Sequence, residues 1–232
     1  MAKTRQQIRE KVMKDLDLLS QSGSYVKGAD HISPDEINEH INDSIKYLSS
    51  YVHNLYEDYY LTIASISFVN GTKDYSLPNN IYINKIRRIT YDNVATPYPL
   101  RRITNISELQ YIDSNDDYRY LMVNDGTSEK IRIFPTPRAS ESNIVSVYYC
   151  RRAKELTSDS DALDLPEEFD NVLITDVEYR CLLKEPGNPM FTIIDNKRKE
   201  EIEQMIKTLS KRIPDDQSDI RPDYSFYRDS IA

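Results

Sequence analysis

The chain has no tryptophan, five glycines, two cysteines and three histidines in 232 residues. Each shortage excludes something. So few glycines leave no Gly-rich loop to cradle a phosphate, and no nucleotide-binding fingerprint can be written. Cys150 and Cys181 stand alone in apolar patterns. They read as buried free thiols of a reducing compartment, not as a disulfide framework. His31, His40 and His53 form no ligand set, and His40 and His53 are not spaced i, i+4, so one helix face cannot offer both to a metal. The N-terminal MAKTRQQIREK has no apolar signal core, and no apolar run approaches transmembrane length, so no membrane partner is expected. Among carboxylate pairs, Asp116-Asp117 reads as a turn and Glu167-Glu168 as the first turn of a helix. No Ser or Cys nucleophile signature appears. The expectation is no enzyme, no cofactor and no metal site.

What is present is acid and tyrosine. Asp plus Glu number 38 against 30 Lys plus Arg, a net charge of -8. That balance opposes a dedicated nucleic-acid binder, which gains affinity by neutralising phosphates, but it allows a protein that DNA merely passes. Hydrophobic content of 39% with 29% charged residues marks a globular chain able to bury a core. Tyrosine occurs 18 times. Its apolar body and polar tip suit sheet faces and also surfaces that begin wet and end buried.

Helical periodicity lies at both ends of the chain. Ile8, Val12, Leu16 and Leu19 share one face of a first helix over residues 4 to 19, and SQSGSYVKGAD (20 to 30) reads as a loop. Ser33-Pro34-Asp35-Glu36 is a strong helix start: a Ser cap, Pro at the first position and Glu three residues after the cap. Ile37, Ile41, Ile45, Leu48, Val52, Leu55 and Tyr59 continue one stripe to about residue 59. Leu165-Pro166-Glu167-Glu168 opens a third helix with Phe169, Val172, Leu173 and Val177 on its stripe. After Pro186-Gly187-Asn188-Pro189 a fourth runs over about 190 to 212, and so short a link predicts antiparallel neighbours.

Strand patterns occupy the middle. Ile63 to Val69 alternates and Asn70-Gly71-Thr72 turns it; Tyr75 and Leu77 mark a short strand that Pro78 ends. Ile81 to Tyr91 is a longer, Ile-rich strand with Lys85 and Arg87 on a charged face. Residues 92 to 105 read as a loop or irregular edge, and Ser107 to Ile112 as a helical turn or two. Tyr118 to Val123 and Glu129 to Phe134 form a hairpin, and Asn143 to Cys150 is the last strand. The fold class is α+β: about four helices in a bundle, with an inserted antiparallel β region and an extended C-terminal arm. The divisions are 1-62 and 151-213 for the helical parts, 63-150 for the β region and 214-232 for the arm.

Two features invite a functional reading. Arg87-Arg88, Arg101-Arg102 and Arg151-Arg152 all lie in or beside the β region. They are either basic belts facing DNA or a neighbouring protein, or solvated sheet faces paired with the plentiful Asp. Because adjacent strand residues face opposite ways, at most one of Arg87 and Arg88 is expected to line a channel. Past Pro214 all periodicity stops, yet Ile220, Pro222, Tyr224, Phe226, Tyr227 and Ile231 crowd into the last residues. An arm that orders on a partner explains them, as does a frayed terminus.

The order of pieces resembles a known family. Two helices lead to a β insert entered through Tyr75-Ser76-Leu77-Pro78. Phe134-Pro135-Thr136-Pro137 precedes a last strand ending Val147-Tyr148-Tyr149, and Leu165-Pro166 opens a helical pair. This is similar to the head-to-tail adaptors of tailed bacteriophages, the head-completion or connector proteins and tail accessory factors, over residues 5 to 212. The resemblance implies a homo-oligomeric ring of twelve copies at the head-tail junction of the virion, assembled in the host cytoplasm. It further implies contact with the portal protein through the C-terminal arm, tail or nozzle proteins below, and genomic DNA passing without specific binding. It carries no cofactor and no catalytic residue. A different virion component, such as a collar, nozzle or tail-tube protein, uses the same materials. A hydrolase built on Asp and His would need a pocket with convergent polar groups, which nothing in the sequence signals.

Overall fold

The computed structural model describes residues 2-18, 32-92, 97-113, 116-124, 126, 129-184 and 187-211. They form two compact units. One takes the residues up to Tyr56 and from Lys154 onward; the other is Glu57–Ala153. The C-terminal segment expected as an arm, from 214 on, lies outside the described residues, as do His31 and the loop 20-30.

The first unit is helical. Its α1, Arg5–Asp15, starts on a reciprocal cap: Thr4 Oγ1 accepts the Gln7 N–H at 3.3 Å and Gln7 Oε1 accepts the Thr4 N–H at 3.0 Å. It buries Ile8, Val12 and Met13 and stops short of residue 19, because Asp17 takes a left-handed φ of 54° that turns the chain. In α2, Pro34–Leu55, Ser33 Oγ accepts the Glu36 N–H at 3.2 Å with Pro34 at the first position. The returning half of the expected capping box is absent, since Lys184 binds the Glu36 carboxylate. Ile37, Ile41, Ile45, Leu48 and Val52 are all buried. Each contributes roughly 1.5–3 kcal/mol relative to an exposed side chain.

The third helix begins later than Pro166 predicts. A 3-10 turn, Glu167–Phe169, comes first, and α3 is Asp170–Leu182. Every residue from Val172 to Glu178 is buried, so α3 is the central helix rather than a one-faced surface helix. Then α4, Pro189–Ser210, starts with Asn188 Oδ1 accepting the Met190 N–H at 3.0 Å and buries Ile194, Ile202, Met205 and Leu209. Tyr179 stacks on Phe191 while Asp176, one turn earlier, binds Arg198, two turns later. The two helices therefore run antiparallel, as the short link predicts.

The second unit holds eight strands: β1 Leu61–Phe68, β2 Asp74–Ser76, β3 Ile81–Tyr91, β4 Tyr98–Pro99, β5 Arg101–Arg102, β6 Arg119–Asn124, β7 Glu129–Phe134 and β8 Glu141–Arg151. They make two four-stranded sheets in the orders β1-β8-β3-β4 and β2-β7-β6-β5. All pairings are antiparallel except β5 with β6, which is parallel. Residues 92-105, read as loop, supply the short strands β4 and β5. The turn at Asn70-Gly71, with Gly71 at φ 76°, does not pair β1 with β2 but hands the chain from one sheet to the other. Between the sheets Phe68, Ile89, Ile131, Ile133, Val145 and Val147 form one apolar core.

Tyrosine closes that core. Phe68 meets Tyr75 at 5.4 Å and Tyr118 at 5.0 Å between ring centroids, and Tyr91 lies 5.1 Å from Tyr118. The Tyr75 hydroxyl accepts the Val69 N–H at 3.1 Å and lies 3.0 Å from the Thr72 carbonyl oxygen, so one polar tip holds the turn. The long β3 is not regular. Ile83 and Asn84 have φ of 43° and 56°, and the register with β8 shifts on both sides of Ile86. Alternation therefore fails there, and Ile83 is 71% exposed.

Candidate assembly surfaces

In the helical unit, charge is spent inward. The segment 154-164 is polar in sequence, but it is stitched down. Asp159 accepts from Arg5 Nη2 at 2.8 Å and from Arg9 Nη1 and Nη2 at 2.8 Å each. These two guanidinium partners hold its carboxyl well below the usual carboxylate range. Asp161 Oδ2 accepts the Thr157 and Ser158 N–H groups at 2.8 Å each, and Oδ1 takes Lys154 Nζ at 3.0 Å. Asn42 on α2 receives the Leu156 N–H at 2.9 Å and donates to its carbonyl at 3.2 Å.

The densest polar cluster lies between α3 and α4. Asp176 is fully buried, and its carboxylate accepts from Arg180 Nε at 2.8 Å and Arg198 Nε at 2.5 Å. Burial pushes its pKa up, but the Ser44 hydroxyl and the two arginines outweigh it and hold the carboxyl below its ordinary value. The Arg198 guanidinium lies 4.5 Å from the Tyr179 ring centroid and 5.4 Å from that of Tyr47. Tyr47 also shares a 2.8 Å hydrogen bond with Tyr51, and that bond, with burial, raises the Tyr51 hydroxyl to about 12. An i, i+4 Asp176–Arg180 spacing was the sequence signal for this clamp; its third member, Arg198, is separated by a whole helix turn-around.

Glu178 faces α1. Burial first, then the hydrogen-bonded Asp15 carboxyl, raises Glu178 to about 7. Burial acts upward on Asp15 too, but hydrogen bonds from Lys11 and Glu178 bring it below its ordinary value. The two carboxyls thus share a proton. Cys181 is buried, which pushes its thiol to about 12 and leaves it inert. Cys150 is likewise a buried free thiol.

The six arginines singled out by sequence do not converge. Arg87 and Arg88 are both exposed, because the bulge in β3 breaks the strict alternation expected there. Arg87 binds Glu57 at 2.5 Å. Arg101 reaches Glu108 at 3.8 Å, Arg151 lies 5.3 Å over the Tyr60 ring, and Arg152 Nε donates to the Ile81 carbonyl at 3.1 Å. Arg88 and Arg102 have no salt bridge among the described residues. Arg87, Arg88 and Arg151 belong to one sheet, with Arg152 just past the end of β8, and Arg101 and Arg102 belong to the other.

Sequence reading passed over the outer face of β1. Leu61, Ile63, Ser65 and Ser67 are exposed while Ile66 and Phe68 point inward. The available signal was negative: no charged residue occurs from Leu61 to Thr72. The remaining arm residues, Ile220, Pro222, Tyr224, Phe226, Tyr227 and Ile231, lie outside the described residues. The grooves of the β unit are open. One is lined by Leu77, Pro78, Ile83, Asn84 and Arg152, another by Gly71, Lys73, Leu109, Phe134 and Pro137. Among the described residues no group of three or more His, Cys, Asp or Glu side chains is placed to hold a metal, and no helix is long and apolar enough to cross a membrane. What the geometry offers is a braced scaffold and open surface.

No curated protein matches the chain. The family model described as SU10 adaptor protein matches residues 4–223, covering strands and helices of both units. The chain therefore belongs to the SU10 adaptor protein family, the phage head-to-tail adaptors, and is by that membership a structural component of the virion.

Proposed function

We propose that the protein is the connector ring subunit of a phage neck, twelve copies docking beneath the portal, joining it to the tail and continuing the DNA channel. The family match over residues 4–223 carries this reading. The helical parts, 1-62 and 151-213, act as the rigid frame; the region 63-150 is the insert; and 214-232 is an arm that docks on the portal through Ile220, Pro222, Tyr224, Phe226, Tyr227 and Ile231. A joint that resists internal pressure needs elements that do not shear, and the Asp176–Arg198 and Asp159–Arg9 contacts supply such bracing. Twelve modest contacts acting together give a strong joint. The net charge of -8 suits a channel that DNA passes without sticking. Within it, Arg88 and Arg102, exposed and without a salt bridge among the described residues, are the arginines best able to meet an external anion.

The test is to mix the purified protein with candidate portal rings and measure the mass of the product. Twelve added copies per portal are expected. Deleting residues 214-232 is expected to leave a folded protein that no longer joins. Replacing Arg101 and Arg102 by Glu is expected to impair DNA retention or tail attachment. If the full chain ignores every portal, a collar, nozzle or tail-tube role replaces this one.

A further inference from the structure

The grooves of the two units differ in charge. In the helical unit, one groove is lined by Asp15 and Asp17 and another by Glu168 and Glu201, with no cation in either lining. In the β unit, a groove forms between the 3-10 turn Ile106–Tyr111 and the segment after β7. Leu109, Ile112, Phe134 and Pro137 supply its apolar lining, Lys73 and Arg138 its charge, and none of its lining residues is acidic. Both cations are exposed and without a salt bridge among the described residues. Beside the lining residues in the chain, Ile106 is 72% exposed, Tyr111 77% and Val69 52%. The groove is preformed. The Gly71 N–H donates to the Pro137 carbonyl at 2.9 Å, and the Asn70 N–H to Ser140 Oγ at 3.0 Å. Filling such a groove costs little ordering on its own side.

We propose that this groove receives the C-terminal arm, residues 214-232, of a neighbouring copy before the portal takes it. The chemistry of the two matches. The arm holds five Asp against two Arg, with Ile220, Tyr224, Phe226, Tyr227 and Ile231 among them. Laid extended, it puts Tyr224 and Phe226 on one side and Asp223 and Ser225 on the other. The rings then meet the apolar lining while carboxylates meet Lys73 and Arg138. The acid-lined grooves of the helical unit repel the same segment. Arm and groove are unlike ends, and a ring of identical subunits needs contacts of that head-to-tail kind. The inference therefore rests on the ring reading above and names a contact that brings its subunits together. The portal and the groove compete for one arm, and docking takes the arm over.

Photo-cross-linking of the full chain tests this. The photoreactive p-benzoylphenylalanine stands in for Phe226, isotopically heavy and light copies are mixed, and the sample is irradiated without portal. Mass spectrometry is expected to find cross-links from the arm of one isotope to residues 109-112 or 134-138 of the other. Lys73→Glu combined with Arg138→Glu is expected to lower their yield roughly tenfold, and added salt to lower it as well. Arg132→Ala, which removes a cation outside the groove, is expected to leave the yield unchanged. Circular dichroism and thermal melting of each variant show that it folds. With no portal present, failure of this contact leaves portal docking standing, and failure of docking leaves this contact standing. Cross-links that are absent, confined to one copy or directed to other surfaces overturn the proposal. So does a yield indifferent to the paired Lys73→Glu and Arg138→Glu substitutions.

Discussion

The two units handle polar groups in opposite ways. The helical unit carries charge into its interior and satisfies it there: Asp176 is fully buried between two arginines, and Glu178 shares a proton with Asp15. The β unit keeps its core free of charge. It uses tyrosine hydroxyls for interior polar bonds and leaves its ion pairs, such as Arg132 with Asp74 at 2.6 Å, near the surface. A buried ionic clamp tolerates almost no displacement, since moving one partner strands the other in a poor solvent. An apolar core between two sheets tolerates more. The difference assigns rigidity to the helical unit and available surface to the β unit.

The largest effect should come from breaking the clamp. Asp176→Ala leaves Arg180 and Arg198 without their shared anion and is expected to cost about 3–5 kcal/mol. Hydrogen exchange should rise in α3 and α4 with little change in the β strands. Its counterpart in the other unit is Ile131→Ala, which opens a cavity between the sheets at about 2–5 kcal/mol. There exchange should rise in β6, β7 and β2. If either substitution loosens both units equally, the contrast between them fails.

The carboxyl pair sharpens the comparison through pH. Glu178 has a folded value of about 7 against an ordinary 4.5. The folded protein therefore holds a proton that the unfolded chain has released, and stability falls as pH rises from about 4.5 to about 7, then levels off. Glu178→Gln removes this slope and is expected to gain on the order of 2–3 kcal/mol over the wild type above neutrality. Thermal melts at acid and mildly alkaline pH measure it. Asp159 runs the other way, its folded value being depressed by Arg9 and Arg5. Asp159→Asn should lower the melting temperature at neutral pH, and the deficit should close as acid protonates the wild-type group. The smallest effect belongs to the β surface: Arg132→Ala should change stability by no more than about 1 kcal/mol, because the pair with Asp74 is solvated.

Much of the fold was legible because it rests on local rules. Pro34 after Ser33, and Pro189 after Asn188, mark helix starts that the backbone obeys. The Ile-Leu-Val stripe of α2 at helical spacing could bury itself in only one way. Alternation between 129 and 134 yields a strand at its expected bounds. The failures are equally specific. Alternation could not reveal the bulge in β3, because its left-handed step at Ile83 and Asn84 breaks the periodicity on which the reading depends. Burial on all sides of α3 is not legible in its sequence, because Asp176 and Glu178 interrupt the apolar pattern and their partners Arg198 and Asp15 lie on other helices.

Family membership and the α+β class followed from the order of short pieces along the chain, and order is a property of sequence. Net charge, the uncharged run of β1 and the isolation of both cysteines were also settled there. Which charges are spent internally was not. Arg198 finds Asp176, and Arg9 finds Asp159, only because distant segments are brought within hydrogen-bond reach. Whether an arginine or a strand edge stays open to a neighbour depends on what the rest of the chain has already satisfied. Only tertiary structure decides that, since a polar group's cost depends on solvent and partners that sequence spacing does not contain.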